Sequence, residues 1–156
     1  MYSNKLVCDI LNYIELNLNS KISINDLERT FYYNKFYIMK LFKKEIGVSI
    51  FEYINILRIY NSSNEIKNTN NSLTMISMNN GFYSLEYFSE IFKKVIGVNP
   101  RTYKKFWNYY QKISEKDMDI IRNSIIYLKK IIDKKNKYIN NIKPIESPVK
   151  KLSIFK

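Results

Sequence analysis

The sequence predicts an all-α protein built around one unit written twice, and three observations carry that expectation. Apolar residues recur at three- and four-residue steps between helix-start signals, and no alternating apolar and polar run is long enough for a strand. The stretch FKKEIGVS at 42–49 returns 50 positions later as FKKVIGVN at 92–99. Tyr37 with Tyr87 and Tyr53 with Tyr103 keep the same offset, which makes eight identities in seventeen aligned positions. A solenoid needs roughly three or more copies to bury a continuous core, so two copies indicate a tandem pair of units.

The elements follow in order. Leu6, Ile10, Leu11, Ile14 and Leu18 line one face of an opening helix over 5–18. Ser23 with Asp26 forms a capping box for a short second helix, which Ile22 staples against Leu27 and which ends near Thr30. After the turn at 31–33, Asn34 caps a third helix whose inward face is Ile38, Leu41, Phe42 and Ile46, with Gly47 as its left-handed exit. Lys35, Phe36, Met39, Lys40 and Lys43 form the opposite, basic and apolar face. Ser49 and Glu52 make a second capping box that opens a longer helix over 49–67, and the polar stretch 68–72 interrupts it.

The pattern then restarts. Ser72 caps a short helix carrying Leu73 and Ile76, Asn80-Gly81 turns, and Ser84 caps a helix with Phe88, Ile91, Phe92 and Val95 inward. Gly97 ends it, and Asn99-Pro100 starts another, since proline at the first helical position gives up only an N–H that had no partner. Short helix, tight turn, second helix and glycine exit make a helix-turn-helix unit, one over 23–47 and one over 72–97. In such units the second helix lies in the major groove of DNA.

Composition sets the outer limits. The chain has 156 residues and a net charge of +12, which suits a polyanion partner. Lysine supplies 22 of the 26 basic groups and alanine is absent, a bias that AT-rich codons produce regardless of function, so the charge permits nucleic-acid binding without requiring it. Cys8 is the only cysteine and there is no histidine, which excludes disulfide frameworks, Cys/His zinc sites and any triad with a histidine base. No phosphate-binding glycine loop or paired-acid constellation is present, so neither an enzyme nor a cofactor is expected. Signs of export and of a membrane span are absent from the sequence, which places the expected location in the cytoplasm, at the nucleoid.

A family resemblance now becomes visible. Leu27, Asn34, Tyr37, Phe42-Lys43-Lys44, Gly47, Glu52-Tyr53, Arg58-Ile59, Thr69, Ile76, Gly81-Phe82, Tyr87-Phe88, Phe92-Lys93-Lys94, Gly97, Pro100 and Tyr103 resemble the DNA-binding domain of AraC/XylS-type bacterial transcription regulators. The likeness covers residues 5–105 in one register, and GFYSLEYFSEIFKKVIGVNPRTY at 81–103 is similar to that family's signature. It implies a sequence-specific regulator with two helix-turn-helix units on a rigid linker helix, reading two successive major-groove segments of double-stranded DNA.

Carried over by position, the implied base contacts are Phe36, Met39 and Lys40 in the first unit and Leu85, Glu86, Ser89 and Glu90 in the second. Lys35 shares the first face as a DNA-binding candidate, and Lys43 and Lys93, beside the core anchors Phe42 and Phe92, face the phosphates. The chain departs from the family at Glu28 and Ser77, where a small alanine is usual, and at Glu90, where a basic residue is common. Glu28 has either to lean into solvent or to loosen the first unit. Glu86 and Glu90 must accept from cytosine amino groups or repel phosphate. A degenerate relative that acts as a protein-interaction or dimerisation module with weak DNA binding is therefore the alternative. Phe36 and Met39 also suit a protein contact, and the lysines at 43, 44, 93 and 94 suit helix C-termini whatever the function.

Residues 1–106 are thus expected to be the DNA-binding domain and 107–156 a C-terminal extension. After a capping box at Ser114 to Asp117, the residues Met118, Ile121, Ile125, Leu128, Ile132, Ile139 and Ile142 make a heptad seam with Lys135 in its one polar slot. Ile120, Ile126 and Ile131 widen the apolar face, so packing onto the chain's own domain and self-association through 113–142 stand level, ahead of a membrane surface. RNA polymerase is a further candidate partner. Residues 143–156, with Pro144 and Pro148, read as a mobile basic tail.

Overall fold

The computed structural model describes residues 2–108 and 114–141, which form eight helices and no strand. The helices are α1 (Tyr2–Leu16), α2 (Ile24–Phe31), α3 (Lys35–Ile46), α4 (Ile50–Asn68), α5 (Leu73–Asn79), α6 (Leu85–Ile96), α7 (Pro100–Trp107) and α8 (Glu115–Asn141). The tail at 143–156, with both of its prolines, lies outside the described residues, as does part of the connection into α8.

Local chemistry sets the helix ends. At α2 the Ser23 hydroxyl accepts from the Asp26 N–H while the Asp26 carboxylate accepts from the Ser23 N–H, so both halves of the capping box close. The Ser23 hydroxyl, followed by Arg29, holds the Asp26 carboxyl below its ordinary pKa. Ser49, Ser72, Ser84, Asn99 and Ser114 accept likewise from the amide three residues on. Gly47 and Gly97 leave their helices at φ 96° and 93°, a left-handed conformation that costs glycine little. In the first helix-turn-helix turn Tyr32 takes a left-handed φ of 58°, whereas the second uses Gly81 at 80°.

Two apolar clusters form, and α4 supplies both. Ile50, Tyr53, Ile54 and Leu57 enter the first, with the buried residues of α1, α2 and α3. Ile56, Ile59 and Ile66 enter the second, with those of α5, α6 and α7. The element expected as a connector is therefore a shared wall of two cores. The repeat recurs in the packing, for Tyr53 stands edge-on to Phe42 at 5.5 Å and Tyr103 edge-on to Phe92 at 5.3 Å.

The expected inward residues of α1 and α3 and Ile76 of α5 are inside, Leu73 is half-buried against the second cluster, and two details differ. Helix α1 ends at Leu16, so Leu18 reaches the core from the following loop. In α6 it is Ile96 that is fully buried, and Val95 is half-buried against the same cluster.

Helix α8 packs back on the rest of the chain. Ile121 and Leu128 are buried in the second cluster, and Ile120, Ile125 and Ile131 lie against it. Ile131 and Ile132 also lie against the first cluster. Lys135, the polar slot of the seam, pairs with Glu15 of α1. Of the residues expected to widen the face, Ile126 instead points outward, 52% exposed. The side chains of Ile139 and Ile142 fall outside the described residues.

Candidate nucleic-acid interface

The outer face of α3 begins at a doubly capped N-terminus. The Asn34 side-chain oxygen accepts from the Phe36 N–H at 2.9 Å, and the Glu28 carboxylate accepts from the Lys35 N–H at 3.1 Å. These are two of the four N–H groups that a helix start leaves unpaired. Glu28 is half-buried and turns toward α3 rather than out to solvent. It ties α2 to the first turn of α3 and so fixes where Lys35 and Phe36 stand. At the position matching Glu28 in the second unit, Ser77 is fully buried and its hydroxyl donates to the Thr74 carbonyl, a compact substitute for a small side chain.

None of the ten predicted site residues is buried. On α3, Phe36 is 66% exposed, Lys40 and Lys43 are exposed, Lys35 is half-buried with its ammonium 5.6 Å from the Phe36 ring centre, and Met39 is half-buried against the first cluster. On α6, Glu86, Glu90 and Lys93 are exposed, Ser89 is half-buried, and Leu85 lies partly against the second cluster. The α3 face is thus basic and aromatic, while the corresponding α6 face carries two carboxylates one turn apart. Among the described residues neither Glu86 nor Glu90 has an ion-pair partner.

Sequence reasoning missed three side chains beside these faces, Tyr33, Tyr83 and Arg101. Tyr33 stacks on Tyr37 with ring centres 5.7 Å apart, and Tyr83 stacks on Tyr87 at 5.1 Å. Both pairs obey the 50-residue offset, so the signal was present in the sequence; only the stacking was not. Arg101, exposed at the start of α7, borders a recess of about 200 Å³ with Leu85 and Ser89, which puts a cation next to the acidic α6 face.

The position of one unit against the other rests on α4. Arg58 donates from Nε to the Leu18 carbonyl at 2.9 Å and from a terminal nitrogen to the Ser20 carbonyl at 2.8 Å, both in the α1–α2 loop. The same guanidinium lies 5.9 Å from the ring centre of Phe82 in the second unit. Gly81 sits so close that an added Cβ would stand 2.8 Å from the Leu18 oxygen. Further along α4, Glu65 accepts from the side-chain amides of Asn71, Asn79 and Asn80 at 2.8 to 3.0 Å. Partial burial works to raise its pKa, but these three donors outweigh burial and hold it below the ordinary value.

Among the described residues no group of three His, Cys, Asp or Glu could hold a metal ion. No helix there is long and apolar enough to cross a membrane. An open groove of about 910 Å³ runs between the units, with Lys21, Arg58, Tyr83 and Tyr87 in its lining and no carboxylate.

Comparison with known proteins agrees with this geometry. The family described as a helix-turn-helix domain matches residues 27–105, half of the chain. The HTH-type transcriptional regulator YbfP of Bacillus subtilis is 30% identical over 74% of this chain and 39% of its own length. The TetD protein of transposon Tn10 from Escherichia coli is 30% identical over 68% of this chain and 78% of its own. Among solved structures, an AraC-type DNA-binding-domain regulator from Chromobacterium violaceum superposes with a TM-score of 0.61 over 70% of this chain and 97% of its own, and its 20% identity speaks to the fold alone. The chain spans well under half of YbfP, and over three quarters of TetD.

Proposed function

The chain belongs to the AraC/XylS family of helix-turn-helix transcription regulators, and from that premise we infer that it is a sequence-specific DNA-binding regulator that works without catalysis. Residues 1–106 read DNA and residues 107–156 are an extension of that reading domain. The outer faces of α3 and α6 enter two successive major-groove segments, and Lys43 and Lys93 reach the phosphates beside them. The observation that carries this reading is the repeated construction of the two faces: each follows a capped start, ends in a left-handed glycine, and keeps its candidate side chains out of the core. At about 1.5 Å per residue α4 is roughly 28 Å long, close to the ~34 Å between groove segments one turn apart.

The two faces contribute unequally. Lys35, Phe36, Met39 and Lys40 give the first unit charge attraction and apolar contact. Glu86 and Glu90 suit cytosine amino donors and repel misplaced phosphate, while Ser89 adds a neutral polar contact and Leu85 an apolar one, so the second unit adds selectivity more than affinity. The unpaired Glu86 and Glu90 favour one second reading, a protein-interaction module with weak DNA binding. RNA polymerase and a second copy of the chain are partners to test. From Ile121 to Ile132 the seam of α8 is occupied inside its own protein, so on that stretch self-association would use the outward Ile126 and Tyr127. A nucleoid location within the cytoplasm follows from DNA binding.

Footprinting on duplexes enriched from a random library, at graded salt, tests the reading. The expected pattern is two protected stretches about one turn apart on one face of the duplex. Lys40→Ala should weaken the enriched duplex about tenfold while changing random DNA much less, as loss of one base-edge contact does. Equal binding to every duplex would point to general compaction, and no binding at low salt would point to the interaction module; either result overturns the proposal.

A further inference from the structure

Helix α8 lies beyond the segment that matches the family, yet it touches both units. Its N-terminal half is fixed to the second. Ile121 and Leu128 are buried there, the Ser124 hydroxyl donates to the Ile96 carbonyl at the end of α6, and Ile120 lies so close to Gly97 that a Cβ on that glycine would collide with it. Further along, the helix is fixed to the first unit through Ile131, Ile132 and the Lys135–Glu15 pair. Fourteen residues separate Ile121 from Lys135, about 20 Å of helix, enough to reach from one cluster to the other.

Lys135 is only 13% exposed in its side chain. Burying an ammonium is costly unless it is paired, so the Glu15 carboxylate is what allows α8 to lie in this register. A helix fastened at one end only would leave the two units coupled through α4 and the Arg58 junction alone. Fastened at both ends, it limits rotation of one unit about the other.

We propose that Ile121, Leu128, Ile131 and Lys135 are positioning residues that hold the α3 and α6 faces at one separation, so that α8 decides which spacing of two groove segments the protein accepts. This rests on the DNA-reading function above. The reason is geometric: one inserted base pair moves the second segment by roughly 3.4 Å and turns it by about a tenth of a revolution, which a braced pair of units cannot follow and a hinged pair can.

Two measurements on the full chain test it. In the first, probes on Asn25→Cys in α2 and Thr74→Cys in α5, both exposed sites, with Cys8→Ser, report the distance between units without DNA. The intact chain should give one narrow distribution, and Leu128→Asp or Lys135→Glu should broaden it about twofold or more. Lys135→Glu combined with Glu15→Lys should restore the width, which a merely unfolded variant would not do. In the second, binding is measured to the enriched duplex and to versions with one base pair inserted or deleted between the protected stretches. The intact chain should lose about tenfold on either change, and the released variants about threefold or less. An unaltered distance distribution in Lys135→Glu overturns the brace whatever happens with DNA. A broadened distribution with an unchanged spacing penalty overturns its role in spacing. If the library yields no enriched duplex, the DNA reading fails while the distance measurement still judges the brace.

Discussion

Glu28 shows how much one residue decides here. A carboxylate replaces the small side chain expected between two helices, and it bonds the first N–H of α3. Negative charge at a helix N-terminus is favourable and the bond satisfies an otherwise orphan donor, so Glu28→Ala should lower stability by about 1 kcal/mol. Urea unfolding measures this, with Glu28→Gln expected to lose less because its amide oxygen can still accept. An unchanged midpoint for Glu28→Ala would mean that the cap contributes nothing. The same substitution should weaken binding to the enriched duplex, since Lys35 and Phe36 sit on the turn that it fixes.

At the scale of elements, α4 is the most consequential helix because it is buried on two sides. Its C-terminal half holds the second unit through Glu65, whose pKa is depressed in the folded chain by three amide donors. A carboxyl with a depressed folded pKa adds stability that is fully present above its unfolded value and is lost as pH falls through its folded value. Thermal unfolding should therefore show a falling midpoint below about pH 4.5, and Glu65→Gln should flatten that acid limb relative to the parent. Asp26, also depressed, acts in the same direction, so it is the difference between parent and variant that isolates Glu65. Parallel acid limbs would show that the cluster of asparagines does not favour the charged form.

For the whole molecule, the decisive feature is the junction of Arg58, Gly81 and the Leu18 carbonyl. Arg58→Ala removes two charge-assisted hydrogen bonds from a half-buried group and should cost about 2 kcal/mol. Gly81→Ala forces a Cβ toward backbone at a positive φ and should cost on the order of 1 to 3 kcal/mol. The two act on one contact, so the double variant should lose clearly less than the two losses combined. Simple additivity in urea unfolding would show that the units are not joined there.

Most of the elements were legible in the sequence. Helix caps, the 3.6-residue spacing of Ile38, Leu41, Phe42 and Ile46, and the glycine exits all depend on atoms a few residues apart, and the 50-residue repeat showed that the pattern occurs twice. The outward side of α3 was legible for the same reason, as what remained after the inward face was assigned. The partner of Arg58 was not. The Arg58 guanidinium donates to carbonyls 38 and 40 residues away, which only the folded chain brings within reach.

Helix α8 gives the clearest division. Its heptad seam was written in the sequence, but that seam is the same whether it meets a second chain or its own domain, because an apolar stripe specifies burial and not the surface that provides it. The Lys135 slot gained meaning only when folding put Glu15 opposite it. The sequence alone determined the helices and their repetition, through local hydrogen bonding and periodicity. Tertiary structure decided what α4, Arg58 and α8 hold together, because contacts between distant residues exist only once the cores have formed.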